Sequence, residues 1–154
     1  MNLPLAKRSR KKTPDPFSST FPSEHLKIGH QCMDIAKATE SLQAAKRCYA
    51  EGLYNSSVSR AYYSMYQAAQ VALEAVGLLR AEWSHAGLQA SFANELTRRR
   101  KLYSAFLARD LNVVQDLRHT ADYRDNDVSG RQAARALAKA SEFVGQIKKG
   151  LTSG

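Results

Sequence analysis

The chain has 154 residues, of which 44% are hydrophobic, and its formal net charge is +9. This length suits one globular domain that buries a core without disulfides or metals. No apolar run approaches the roughly 20 residues that span a bilayer, and no apolar segment follows the basic N-terminus as it would in a secretory signal. We therefore expect a cytoplasmic protein without membrane association. The positive charge favours nucleic acid or an acidic partner.

Residues 1–24 are predicted to form a disordered basic tail, ahead of a helical domain at residues 25–150. The tail contains Pro14, Pro16 and Pro22 among serines and threonines, and its apolar residues show no periodicity. Such a segment buries too little apolar surface to offset the entropy of ordering. Its basic cluster is interpreted as solvated, with contact to RNA or a targeting role as the alternatives.

Helical periodicity begins after the tail. In the first helix the apolar residues recur every three or four positions over residues 35–49, and Gly52 then supplies a stop. A broader apolar face extends over residues 58–76 and ends at Gly77. The sequence therefore predicts two long helices joined by a short connection.

Three further helices are predicted in the second half of the chain. Ser84 is a candidate N-cap for a third helix, which ends in the basic run 98–101. A fourth helix follows from about residue 103 to residue 121, and Ser129 caps a fifth with an apolar stripe over residues 133–147. No segment alternates with the period of a strand. We expect an all-α fold, an antiparallel four- to five-helix bundle.

The two cysteines predict neither a disulfide nor a metal site. If Cys32 and Cys48 share the first helix, they lie about 24 Å apart at the helical rise per residue. A disulfide requires Cα atoms within about 7 Å. No Cys/His cluster has the spacing of zinc ligands, so we expect no metal and no cofactor.

One candidate binding surface lies on the second helix. Arg60, Tyr63 and Gln67 fall along one line at i, i+3 and i+7, beside the apolar face. The adjacent Tyr62 and Tyr63 point about 100° apart on a helix, so one is buried when the other borders a groove. The alternative is aromatic core packing in which the hydroxyl groups find local partners.

The second candidate surface is on the fourth helix. Arg118 and Asp122 are i, i+4 neighbours, and His119 and Tyr123 form the next such pair. A cation, an imidazole, a carboxylate and a phenol on one face can hold a phosphate and transfer a proton. The alternative is an Arg118–Asp122 ion pair that fixes this helix against a neighbour.

Three motifs in this order carry a family resemblance. They are Tyr54-Asn55 through Arg60-Ala61-Tyr62-Tyr63-Ser64-Met65-Tyr66, then His85-x-Gly87 followed by Phe92, then Arg118-x-x-Ala121-Asp122-Tyr123. Over residues 34–149 the chain resembles the HEPN superfamily, and within it the small stand-alone HEPN proteins. The resemblance implies a bundle that commonly forms homodimers and is often encoded beside a minimal nucleotidyltransferase. Many HEPN proteins are metal-independent ribonucleases, including toxins of toxin–antitoxin pairs.

The usual catalytic signature of that superfamily is an arginine followed, after four to six residues, by a histidine. Arg118 stands at the arginine position, but Tyr123 stands where a histidine would be, and His119 is adjacent to the arginine. A literal match from Arg80 to His85 falls in the loop after the second helix and is interpreted as chance.

Two functions remain open. The favoured one is a binding or assembly module that contacts a nucleotide, RNA or a nucleotidyltransferase partner through Arg60, Tyr63 and His85. His85 either shapes this groove or simply begins a helix. The alternative is a metal-independent ribonuclease, such as the toxin component of a toxin–antitoxin pair, in which Arg118 acts with residues of its own helix. Those candidate catalytic residues are Arg118, His119, Asp122 and Tyr123.

Overall fold

The computed structural model describes residues 34–153 as a bundle of five α-helices and one π-helical segment. The elements are α1 (Ile35–Ala50), α2 (Tyr54–Ala75), α3 (His85–Ser91), the π-helical segment (Phe92–Arg99), α4 (Ala105–Tyr123) and α5 (Gly130–Thr152). No strand occurs in this range, so the prediction of an all-α antiparallel bundle is confirmed. The predicted tail at 1–24 and Cys32 lie outside the described residues.

Both predicted glycine stops end their helices in the same way. Gly52 and Gly77 adopt φ angles of +75° and +84°, which are available to glycine without steric cost. After α1, the backbone N–H of Leu53 donates to Cys48 at 2.8 Å. After α2, Leu78 donates to Leu73 at 3.0 Å. These bonds satisfy carbonyl groups that a helix end would otherwise leave unpaired.

The third predicted helix differs from the expectation, because its second half is wound as a π-helix. Ser84 caps α3 as predicted, with its hydroxyl accepting from the Gly87 N–H at 3.0 Å. The chain then widens over Phe92–Arg99. The spacing of four between the buried Phe92 and Leu96 fits either winding, so the periodicity alone did not distinguish them.

Helix α2 is the centre of the bundle. It contacts every other element, while α1 packs also on α5, and α4 packs also on α5, α3 and the π-helical segment. Tyr62, in the middle of α2, is among the largest fully buried side chains. No helix between residues 34 and 153 is long and apolar enough to cross a membrane. The arrangement places the polar residues of α2, α3 and α4 around one region of the surface.

Candidate functional site

Arg118 of α4 is the only charged residue buried within the described part of the chain, with 8% of its surface exposed. Its Nε donates to Oδ2 of Asp122 at 3.1 Å. The other carboxylate oxygen of Asp122 accepts a hydrogen bond from the Ser59 hydroxyl of α2. The ion pair therefore ties α4 to α2, which is the structural role that the sequence left open for Arg118 and Asp122.

The guanidinium of Arg118 also lies against two aromatic rings. Its Cζ atom is 5.3 Å from the ring centre of Tyr62 and 5.2 Å from that of Tyr63. Such cation–π contacts orient a guanidinium and offset part of the cost of its burial. Its two Nη atoms have no hydrogen-bond acceptor among residues 34–153. They are therefore available to an anion from outside the described chain.

His85, the first residue of α3, meets the same cluster through Tyr62. Its Nδ1 is 2.7 Å from the Tyr62 hydroxyl, which is fully buried, and its ring lies 5.0 Å from that of Tyr66. Burial raises the pKa of Tyr62 to about 12, so the phenol stays protonated at neutral pH. A protonated phenol that donates to Nδ1 leaves the proton of neutral His85 on Nε2.

The pKa of His85 depends in part on positive charges that lie on α4. Burial lowers the pKa of His85, and the positive charges of Arg118 and His119 lower it further. A lowered pKa keeps this imidazole neutral at pH 7, because its protonated form would be partly buried beside the guanidinium of Arg118. His85 therefore belongs to the same electrostatic site as Arg118, although 33 positions separate them in the sequence.

The remaining predicted residues form the rim of the site. His119 is exposed, with its ring 5.6 Å from that of Tyr123, which is 71% exposed. Arg60, Asp122 and Tyr123 line a cavity of about 490 Å³ between α2 and α4. Tyr63 is 36% exposed whereas Tyr62 is buried, so the two adjacent tyrosines divide between surface and core as predicted.

Sequence reasoning missed three members of the cluster. The sequence left open whether Tyr62 or Tyr63 is buried and named no partner for the Tyr62 hydroxyl, which binds His85. Gln89 of α3 donates to Gln115 of α4, which links these helices beside the Tyr62 hydroxyl. A buried phenol or amide needs a polar partner, and this requirement was the available signal. By contrast, Gln67, which the sequence placed in line with Arg60 and Tyr63 on α2, does not join this cluster. Its side-chain oxygen accepts a hydrogen bond from the Ser41 hydroxyl at 2.7 Å, which joins α1 to α2.

Comparison with known proteins agrees with this architecture. The family model for the HEPN domain matches residues 34–150. A UPF0332 protein of Gloeobacter violaceus is 34% identical over 119 residues, covering 71% of this chain and 92% of that relative. Two proteins of Methanocaldococcus jannaschii, each named "Putative toxin", are 31% and 30% identical. They cover 77% and 76% of this chain, and the matches span 80% and 85% of the relatives.

These findings define the class of protein. The chain belongs to the HEPN domain family.

Proposed function

We propose that this HEPN protein binds RNA through a phosphodiester group held at Arg118. The single observation that carries the proposal is the state of that guanidinium. Asp122 and two tyrosine rings fix its position, while both Nη atoms lack an acceptor among the described residues. A fixed guanidinium with free terminal nitrogens matches the paired oxygens of a phosphate.

The surroundings of Arg118 support a strand that approaches from the surface. Arg60 and Tyr123 line the adjoining cavity, where a second phosphate and a base can be contacted. His119 and Tyr123 present two neighbouring rings at the rim. The net charge of +9 adds long-range attraction to any nucleic acid.

The binding test compares two arginine-to-methionine variants by fluorescence anisotropy with a labelled single-stranded RNA. Arg118→Met should weaken binding at least about tenfold, because a charge-assisted hydrogen bond to phosphate is lost. Arg109→Met is the matched control: it removes one cation from the exposed side of α4, where Arg109 lies 4.8 Å over the Phe106 ring. Circular dichroism at the assay temperature checks that both variants are folded. Equal affinity of Arg118→Met and wild type would contradict the proposal.

A second candidate function is metal-independent RNA cleavage, and the pair of histidines favours it. His85 has a pKa that is lowered by burial and by the charges of Arg118 and His119, and His119 is exposed. In the tautomer that Tyr62 sets, Nδ1 of His85 is occupied and Nε2 carries the proton, so His85 can donate a hydrogen bond to a phosphate oxygen. His119 can then accept the 2′-hydroxyl proton, while the leaving oxygen takes a proton from solvent. The sequence assigns the proton-transfer role to His119 or Tyr123, and an imidazole suits that role better than a phenol at neutral pH.

The cleavage test incubates mixed RNAs with the protein in excess chelator. Cleavage should persist in wild type, fall strongly in His85→Asn and His119→Gln, and be retained in Arg109→Met. His119 is exposed, so its replacement should leave the melting temperature unchanged. Wild type that binds RNA without cutting it would reject this second function and leave the binding function intact.

We also propose that the protein works as a homodimer or with a nucleotidyltransferase partner, as HEPN relatives commonly do. The exposed Tyr123 and Phe106, at 71% and 64%, are large side chains that a partner can cover. Light scattering at micromolar concentration should give twice the chain mass. A monomer that stays monomeric with the product of a neighbouring nucleotidyltransferase gene would refute this assembly.

A further inference from the structure

A second groove lies between α4 and α5, with a volume of about 700 Å³. Of the residues placed in the site above, only His119 lines it. Val113, Leu117 and Ala136 give the groove an apolar floor, and Val113 is 45% exposed. The groove follows α4 from Val113 to Arg124, which is about 16 Å or about three turns at the helical rise per residue. It is therefore long enough to receive a short helix.

The groove combines this apolar floor with a cationic edge. Arg124, Arg135 and Lys139 line it, and Asp116 is the acidic residue among the lining side chains. Lys139 is engaged, because its Nζ lies 2.6 Å from Oδ1 of Asp110. Within residues 34–153, Arg124 and Arg135 form no ion pair. Two unpaired guanidiniums therefore stand beside an exposed apolar floor.

We propose that this α4–α5 groove docks an acidic amphipathic helix of a protein partner. Val113 and Leu117 are i, i+4 neighbours, so they present one line of apolar side chains to a helix laid alongside α4. The apolar face of that helix would cover this line, and its flanking carboxylates would pair with Arg124 and Arg135. An apolar centre inside a polar rim is the usual anatomy of a protein interface.

An extended segment fits this surface less well than a helix does. No strand occurs between residues 34 and 153, so an extended chain would find no sheet edge there to pair with. A groove between two packed helices instead accepts a third helix, whose apolar residues recur every three or four positions. Arg118 does not line the groove, so the proposal is independent of the RNA site described above.

The charge of the rim argues against a second copy of this chain as the occupant. In a twofold dimer the same surface meets itself, so the guanidiniums of one groove would face those of the other. Like charges that meet at an interface oppose association, whereas carboxylates would be attracted. The homodimer proposed above rests on Phe106 and Tyr123, and neither lines the groove. The rim therefore selects an acidic partner.

The first test uses the full chain and a crosslinked helical peptide of about 14 residues, which covers the length of the groove. Its leucines recur every three or four positions, and glutamates flank them on both sides. Fluorescence anisotropy should show binding. A peptide of the same composition, with its leucines dispersed around the helix, should bind at least about tenfold more weakly because it has no apolar face. Methyl resonances of Val113 and Leu117 should shift only with the first peptide. Equal binding of the two peptides, or binding without those shifts, would overturn the proposal.

A charge swap tests the acidic character of the partner. Arg135→Glu should weaken binding of the first peptide at least about tenfold, because a like charge replaces an opposite one at the rim. Arg47→Glu is the matched control, since Arg47 is exposed in the last turn of α1 and does not line the groove. A peptide with lysines in place of the glutamates should bind Arg135→Glu more tightly than it binds wild type. Equal weakening by the two variants would show attraction by net charge alone and would reject the site.

Two outcomes would assign the groove to another occupant and reject the proposal. If Arg135→Glu lowers the molar mass measured by light scattering, a second copy fills the groove. If a single-stranded RNA displaces the peptide and loses more affinity in Arg135→Glu than in Arg47→Glu, the groove holds nucleic acid. Circular dichroism checks that each variant is folded. Arg118→Met should leave peptide binding unchanged while it weakens RNA binding, which separates a failure here from a failure of the RNA site.

Discussion

Replacing Arg118 by methionine should destabilise the bundle by about 2.5–5 kcal/mol. The methionine keeps an unbranched apolar stem beside the tyrosine rings but removes the guanidinium. The lost hydrogen bond to Asp122 joins two charged groups whose side chains are 10% and 28% exposed, and such bonds contribute about 1.5–3 kcal/mol. Each lost cation–π contact, with Tyr62 and with Tyr63, adds about 0.5–1 kcal/mol.

Urea unfolding followed by helical circular dichroism measures this loss. The midpoint should fall with an unchanged slope, and the melting temperature should drop by about 5–20 °C for a chain of this size. Arg109→Met removes one cation–π contact with a ring that is 64% exposed, so its loss should stay below about 1 kcal/mol. Equal midpoint shifts in the two variants would refute the argument that Arg118 holds α4 on α2.

Three further predictions concern stability. Burial lowers the pKa of His85, so the unfolded chain binds the histidine proton more readily than the folded chain does. The free energy of unfolding should therefore fall as the pH drops below about 6.5. His85→Asn should flatten that part of the pH profile. Gly145→Ala, whose added Cβ meets open space, should stabilise α5 by up to about 1 kcal/mol in urea unfolding. Gly150→Ala should lose that gain, because its Cβ would clash with the Tyr103 hydroxyl. Ser129→Ala removes a capping box and should cost about 1 kcal/mol in urea unfolding, and no change would show that the cap is dispensable.

Helix ends were predictable from the sequence because their chemistry is local. A serine hydroxyl that caps a helix reaches an N–H three residues further on, so Ser84 and Ser129 could be identified without knowledge of the fold. The same holds for Gly52 and Gly77, since a left-handed residue after a helix depends on that residue alone. The winding of the π-helical segment was not predictable from apolar spacing.

The candidate site shows the same difference between contacts within one helix and contacts between helices. The Arg118–Asp122 pair and the His119–Tyr123 ring contact are i, i+4 neighbours on one helix, and the sequence identified both pairs as neighbours, with the ion pair as the alternative role of Arg118. The hydrogen bonds from Ser59 to Asp122 and between Tyr62 and His85 cross between helices. Their existence depends on how α2, α3 and α4 are rotated against each other, which apolar periodicity specifies too coarsely.

Tyr62 explains why the site and the core cannot be separated in this fold. Its ring is fully buried in the centre of α2 and lies beside the Arg118 guanidinium, while its hydroxyl binds His85. The packing that excludes water from this phenol therefore also positions the arginine and sets the tautomer of the histidine. A side chain interpreted as core from its periodicity can thus orient both candidate RNA-contacting groups. In this HEPN protein, Tyr62 therefore belongs to the core through its ring and to the candidate site through its hydroxyl group.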